Sequence, residues 1–229
     1  MRQFSRTELI IGKWGLEKLR VSKIAVFGVG GVGSFVAEAL ARAGVGGLTL
    51  VDKDVIEETN INRQLHATFL TVGRPKVDVM KERILSINPV AAVDVFQEVY
   101  APETAERLFP AGADYIVDAI DDVAGKVDLA LRAWQNNIPI ISSMGAGNKM
   151  DPARFALADI YATSIDPLAR VMRRKLRKAG VPALKVVFSA EPPHRVRGAE
   201  QGSPPGSISF VPAAAGLIIA GEAVRDILS

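Results

Sequence analysis

The stretch Lys23-Ile24-Ala25-Val26-Phe27, followed by Gly28-Val29-Gly30-Gly31-Val32-Gly33-Ser34, constrains this chain more than any other, because an apolar run stops in a glycine cluster and restarts as a helix. An apolar run without alternation reads as a strand buried on both faces, as a parallel sheet requires. Gly28, Gly30 and Gly33 complete a Gly-x-Gly-x-x-Gly spacing. The first glycine permits a tight turn, the second lets backbone approach a phosphate, and the third lets the helix lie against the strand. A helix over 34–43, ended by Gly44, aims its free N–H groups and positive dipole end at that phosphate. Glycine clusters also make ordinary turns, so context decides. Leu48-Thr49-Leu50-Val51 reads as a second strand ending in Asp52, about 20 residues past the last glycine, where a carboxylate can hold ribose hydroxyls.

A chain of 229 residues with 48% hydrophobic and 23% charged side chains can bury one large core. There is no apolar stretch of about 18 residues and no signal-peptide pattern, so a soluble cytoplasmic protein without a membrane partner is expected. The absence of cysteine excludes disulfides, a thiolate-bound zinc, a catalytic thiol and any persulfide carried by this chain. A net charge of +3 mildly favours an anionic partner such as nucleic acid.

The first twenty residues mix Arg2, Arg6, Lys13, Lys18 and Arg20 with Phe4, Leu9, Ile10, Trp14 and Leu16 in no single helical stripe. Short helices laid on the sheet are expected there. Residues 52–66 are too polar for core and predict a long functional loop or a set of short turns. Pro75 opens a helix whose apolar stripe is Val77, Met80, Ile84 and Ile87, and Asn88-Pro89 ends it. Strands follow at 92–96, 115–117 and 138–142, with helices at 102–109 and 123–136. This alternation predicts an α/β, Rossmann-like doubly wound sheet, parallel in its N-terminal part. Strands at 154–159 and 185–189 are expected as antiparallel C-terminal additions, with a basic helix over 167–179 between them, capped by Asp166 and ended by Gly180. A loop over 191–207 and a closing helix over 212–228 complete the chain. The closing helix carries Leu217, Ile218, Ile219, Ala220 and Val224, which points to burial, including burial against a second subunit. We expect a single domain, with a nucleotide-binding part over 1–145 and a substrate-binding and dimerisation part over 146–229.

A nicotinamide dinucleotide is the first ligand that such a glycine loop calls to mind. The residues after Asp52 favour a triphosphate instead, whose extra charges need cations. Arg63 follows the second strand closely, and Lys76 sits in the first turn of its helix, where the dipole disfavours a cation unless an anion faces it. Asp121, after the fourth strand, can take magnesium through one carboxylate plus phosphates and water.

The segments Gly28–Ser34, Asp52-Lys53-Asp54, Thr59-Asn60-Ile61-Asn62-Arg63-Gln64, Gly73-Arg74-Pro75-Lys76 and Asp118-Ala119-Ile120-Asp121 resemble, in order and spacing, the ubiquitin-activating-enzyme-like adenylyltransferases. The likeness covers nearly the whole chain. Asn60-Ile61-Asn62-Arg63-Gln64-Leu65-His66-Ala67 is similar to the branch of tRNA threonylcarbamoyladenosine dehydratases. The resemblance implies ATP as the nucleotide, bound by Gly28, Gly30, Gly31, Gly33, Asp52, Asp54, Asn60, Arg63, Gln64, Lys76 and Asp121. Within that set it implies that Asp52 holds the ribose, that Asn60, Arg63 and Lys76 bind phosphates, and that Asp121 binds magnesium. It also implies a homodimer in which Arg6 reaches the partner's phosphates, so that Arg6, Arg63, Lys76 and Asp121 serve catalysis; a monovalent cation stays open. The implied reaction is ATP-dependent cyclisation of a modified adenosine in tRNA. The lack of cysteine fits this branch, since adenylation followed by intramolecular attack needs no thiol. Two alternatives remain: adenylation of a ubiquitin-like sulfur carrier's C-terminus, and a nucleotide-sensing binding module.

A tRNA partner draws further support from the 167–179 helix. Its stripe of Leu168, Met172, Leu176 and Ala179 leaves Arg170, Arg173, Arg174, Lys175, Arg177 and Lys178 with no acidic residue between Asp166 and Glu191. Like charges at helical spacing repel, and a phosphate backbone relieves the repulsion. Arg195 and Arg197 extend the expected docking surface. His66 and His194 are expected to be structural or exposed, with acid–base roles left open, and Glu191 to line the substrate entrance. Trp14 and Trp134 are expected in packing roles.

Overall fold

The computed structural model describes residues 2–194 and 204–229. Every apolar run singled out above as a strand joins one seven-stranded sheet, in the order β3-β2-β1-β4-β5-β7-β6. The strands are β1 (Lys23–Phe27), β2 (Gly47–Val51), β3 (Ala92–Phe96), β4 (Tyr115–Asp118), β5 (Ile140–Ser143), β6 (Phe155–Asp159) and β7 (Lys185–Ser189). β1 to β5 run parallel, as expected. The antiparallel pairing among the C-terminal strands is that of β6 with β7. β7 itself lies parallel to β5, so its register continues the parallel part of the sheet.

The helices are α1 (Ser5–Val21), α2 (Gly33–Ala43), α3 (Lys76–Ile87), α4 (Ala105–Leu108), α5 (Val123–Gln135), α6 (Pro167–Ala179) and α7 (Phe210–Leu228). They cover both faces, and the period-two alternation of the strands decides which residue meets which layer. On β1, Ile24 and Val26 pack with Val36 and Leu40 of α2 and Ile219 of α7. Ala25 and Phe27 face the other way, onto Leu129 and Ala133 of α5. A third cluster joins Met172 and Leu176 of α6 to Val186 and Phe188 of β7.

The N-terminal segment is made of short helices, as expected: α1 is broken at Gly12, whose φ of 71° and ψ of 172° are not helical, and the pieces pack on α2 and α7 rather than on the sheet. Leu9, Ile10 and Trp14 stand exposed on α1. Trp134 is also half exposed, so neither tryptophan is a core packing residue. α7 is buried as expected, with Ile219 and Ala220 in the core, while Leu217 is exposed. Gly216 makes this possible, because a Cβ there would stand 2.5 Å from the Val32 carbonyl. Among the described residues, no helix is long and apolar enough to cross a membrane.

The glycine loop is held by backbone contact. A Cβ on Gly33 would sit 1.8 Å from the Gly28 carbonyl oxygen, a distance no relaxation of flexible side chains relieves. Gly33→Ala should therefore cost ~3 kcal/mol or more of unfolding free energy. Gly221, in α7, has nothing within 4 Å of the added atom. Gly221→Ala should raise stability by roughly 0.5–1 kcal/mol, since alanine is the better helix former. Denaturant midpoints of the two variants check both signs.

Candidate nucleotide site

β1 and β4 are neighbours whose connections leave in opposite directions, β1 through α2 to β2 and β4 through α5 to β5. Ligands of such sheets bind in the crevice this divergence opens at the carboxyl ends of the strands. A cavity of about 440 Å³ lies there, within the ~300–1,000 Å³ usual for small-molecule sites. Gly28, Gly30 and Gly31 line it, together with Asp52, Asp54, Asn60, Arg63, Gln64, Lys76 and Asp121. Gly33 is not a lining residue and serves beneath the loop, against Gly28.

Gly28 takes a left-handed φ of 82°, and a Cβ there would meet the Ala119 carbonyl at 2.5 Å, so the loops after β1 and β4 touch backbone to backbone. Space opens above Gly30, where an added Cβ would meet only Gln64 Nε2, at 3.8 Å. No side chain caps α2; the N–H groups of Ser34 and Phe35 donate to the Gly30 and Val32 carbonyls at 3.0 and 3.1 Å, so the helix contributes the positive end of its dipole behind the glycine loop. Asp52 accepts hydrogen bonds from the N–H of Val29 at 2.7 Å and of Asp54 at 2.9 Å. These two bonds fix the carboxylate and leave acceptor capacity on both oxygens for hydroxyl groups.

The cations on the other wall are already oriented. Lys76 is buried, and its ammonium donates to Asp54 Oδ2 at 2.7 Å. The anion that offsets the dipole in front of Lys76 is thus supplied by the chain, with one face of Asp54 still half exposed. Arg63 Nη1 donates to the Thr59 carbonyl at 2.8 Å and to Asn62 Oδ1 at 3.0 Å, which holds the guanidinium at the cavity. Asn60 is buried, and its Oδ1 accepts from the N–H of Glu57. Gln64 is buried beside Gly30 with Oε1 lacking any hydrogen-bond partner. An orphaned polar atom on a cavity wall is satisfied when a ligand arrives. Asp121 is exposed at the mouth. No group of three histidine, aspartate or glutamate side chains forms a metal cage among the described residues. One carboxylate completed by phosphate oxygens and water is the arrangement magnesium favours, so the donor set fits that ion.

The ThiF family model matches residues 2–229. The chain belongs to the ThiF family. A Bacillus subtilis tRNA threonylcarbamoyladenosine dehydratase is 51% identical over 242 residues, covering 100% of this chain and 95% of that protein. The structure of Escherichia coli tRNA N6-threonylcarbamoyladenosine dehydratase in complex with ATP superposes with a TM-score of 0.92 at 34% identity, covering 99% of this chain and 94% of that one. The same enzyme has also been solved with AMP. At greater distance, the Escherichia coli molybdopterin-synthase adenylyltransferase is 33% identical over 137 residues, 60% of this chain and 54% of that protein.

Several features of this ThiF-family chain depart from what its sequence led us to expect. Residues 52–66 were expected to be too polar for core, yet Ile56, Asn60, Gln64 and His66 are buried. Arg6 is no such departure: expected to act at a partner subunit, it is exposed on α1 and lies outside the cavity of its own subunit. On α6, Arg173 donates to the Thr163 carbonyl and hydroxyl, and Arg177 stacks 5.0 Å from the Tyr161 ring centre. Both therefore have partners in the fold, while Arg170, Arg174, Lys175 and Lys178 stand exposed. Arg195 and Arg197 lie outside the described residues. Glu191 is buried as an acceptor for the N–H groups of Met150 and Asp151 and for His194, and does not line the cavity. Two residues near the site escaped the sequence reading as partners, Lys126 of α5 and Asp118 at the end of β4. Both are fully buried beneath the loop that carries Asp121, and the only signal was their spacing across the strand end.

His66 is a structural latch. Its Nε2 donates to the Val29 carbonyl at 2.7 Å, so the neutral ring ties the 52–66 segment to the glycine loop. Burial pushes its pKa below 6.5, and the nearby Lys76 ammonium adds to the effect. The unfolded chain then takes up this proton more readily than the folded one. Stability present above the ordinary value is lost as pH falls through the depressed one. Between about pH 7.5 and about pH 5 the parent should therefore lose more stability than His66→Gln. Parallel stability–pH curves for the two proteins would show that the imidazole is not the titrating latch.

Proposed function

We propose that this protein uses ATP to adenylate the carboxylate of threonylcarbamoyladenosine in tRNA and then closes the modification into a ring, as a tRNA threonylcarbamoyladenosine dehydratase. The observation that carries this reading is the meeting, in one cavity, of an uncapped glycine loop, two preset cations and a lone carboxylate. An NAD-type ligand has no use for Arg63 and Lys76 at that place, whereas a triphosphate does.

Chemically, a carboxylate oxygen of the substrate attacks the α-phosphorus of ATP and pyrophosphate departs. A nitrogen or oxygen of the same modification then attacks the activated carbonyl, and AMP leaves with the carboxylate oxygen, a net loss of water. Asp52 orients the ribose, Arg63 and Lys76 neutralise the charge that builds on the phosphates, and the positive end of the α2 dipole adds to that field. Asp121 would hold magnesium, which would supply further charge neutralisation at the phosphates. Asp54 shares Lys76 with the phosphates and keeps the ammonium in place when they are gone. Since no thiol exists in the chain, activation ends at the adenylate.

We further propose that the tRNA docks on α6. Asp166 caps this helix beside Gly145, and the adjoining Ala146 and Gly147 line the cavity, so a nucleic acid on the exposed cations lies next to the mouth. The exposed Leu9, Ile10 and Trp14 of α1 offer an apolar face for a homodimer that would bring Arg6 to the partner's site. A monomer by light scattering would remove Arg6 from the mechanism. The carrier-protein reading rests on the molybdopterin-synthase adenylyltransferase likeness.

ATP–pyrophosphate exchange separates these readings. Exchange should be stimulated by tRNA carrying the modification, and Arg63→Ala should lose about 10²–10³-fold, the scale of removing one charge-stabilising donor. Arg170→Ala with Arg174→Ala should weaken tRNA stimulation and reduce the slope of log affinity against log salt by about two, one per phosphate contact, with ATP affinity unchanged. Exchange stimulated by a ubiquitin-like carrier and indifferent to tRNA would replace the dehydratase with the carrier-activating enzyme; no exchange under either condition would leave a nucleotide-binding module.

A further inference from the structure

Lys126 and Asp118 form the one ion pair, among those of the described residues, in which both side chains are fully buried, with Nζ 3.0 Å from Oδ2. Burying such a pair gains little over well-packed apolar residues, so stability alone does not account for it. What the pair does have is direction. Asp118 Oδ1 accepts the N–H of Ile120 at 3.1 Å, and Lys126 Nζ donates to the carbonyl of the same Ile120 at 3.1 Å. Ser142 Oγ donates to Asp118 Oδ2 at 2.5 Å and braces the carboxylate from β5. Both backbone polar groups of Ile120, one in each of its two flanking peptide units, are thus held, one residue before Asp121. The grip closes from the other sides as well. Ala119 N–H donates to the Phe27 carbonyl at 2.8 Å, and Asp122 accepts the N–H of Gly125 to cap α5, the helix that carries Lys126.

We propose that the buried Lys126–Asp118 pair is a positioning device that holds the Ile120 backbone so that the Asp121 carboxylate meets the magnesium of the bound nucleotide. The inference rests on reading Asp121 as the magnesium ligand. An exposed carboxylate on a loop with no such tether samples many orientations, and a single-carboxylate metal site has no second protein ligand to correct it. Lys126 does not touch nucleotide or substrate; it acts through Asp121.

Calorimetric titration of ATP with and without magnesium tests this directly. The single variant Lys126→Met leaves Asp118 charged and unpaired, and should melt far below the parent. The paired variant Lys126→Met with Asp118→Asn removes both charges and should recover the fold. In the paired variant the factor by which magnesium tightens ATP binding should fall at least tenfold, while magnesium-free affinity stays within twofold of the parent. A purely structural role would lower the melting temperature and the fraction of sites titrated but leave that factor unchanged, and this result would overturn the proposal. Asp121→Asn, titrated alongside, should abolish the magnesium effect. If it does and the paired variant keeps the effect, the positioning role alone fails; if Asp121→Asn keeps the effect, the magnesium assignment fails and the proposal falls with it.

Discussion

Backbone-to-backbone contact at the sheet's switch point is what the rest of this structure depends on. The loop after β1 and the loop after β4 approach so closely that Gly28 has room for no side chain against Ala119, and Gly33 has none against Gly28. This contact closes the floor of the cavity and starts α2 directly behind the glycine loop. It also brings Asp121 to the glycine loop although the two are far apart in the chain. Packing enforces it from both sides of the sheet, through Ile24 and Val26 on one face and Ala25 and Phe27 on the other. A rigid floor of this kind lets a modest set of polar side chains act as a preorganised site rather than a flexible one.

On that floor Asp52, Arg63 and Lys76 each have a partner in the fold and retain capacity for a ligand. Asp52 is set by two N–H groups, Arg63 by two oxygens, and Lys76 by Asp54. Desolvating Lys76 without Asp54 would be unfavourable, and an incoming phosphate joins the carboxylate in offsetting the charge. His66, kept neutral by burial, fastens this segment to the loop without adding a charge to it. The buried pair beneath Ile120 extends the pattern one layer down.

Much of the fold was legible because local hydrophobic pattern decides it. The uninterrupted runs at β1 and β4 could only be interior strands, and Asp166 and Gly180 bound α6 at the residues expected of a cap and a terminator. That the glycine loop, Asp52, Arg63, Lys76 and Asp121 share one cavity was legible from their places at strand ends and in a first helical turn, whereas Asp54, Asn60 and Gln64 came only with the family resemblance. What sequence could not carry were the partners chosen across the fold. Nothing local says that Arg173 will bond Thr163 instead of solvent, that Lys126 will be buried on Asp118, or that Asn60 and Gln64 will be interior while Trp14 is outside. The parallel pairing of β7 with β5 depends on where the chain returns after α6, a long-range property with no signature in the 185–189 run.

The central claim is that the cavity activates a carboxylate on a modified tRNA nucleoside for internal ring closure. Mass analysis of nucleosides from threonylcarbamoyladenosine-containing tRNA, incubated with the protein, ATP and magnesium, tests it most directly. The account predicts that the modified nucleoside loses the mass of one water, with one AMP and one pyrophosphate formed per event and with NAD unable to replace ATP. An unchanged nucleoside mass in the presence of active, ATP-binding protein would contradict it.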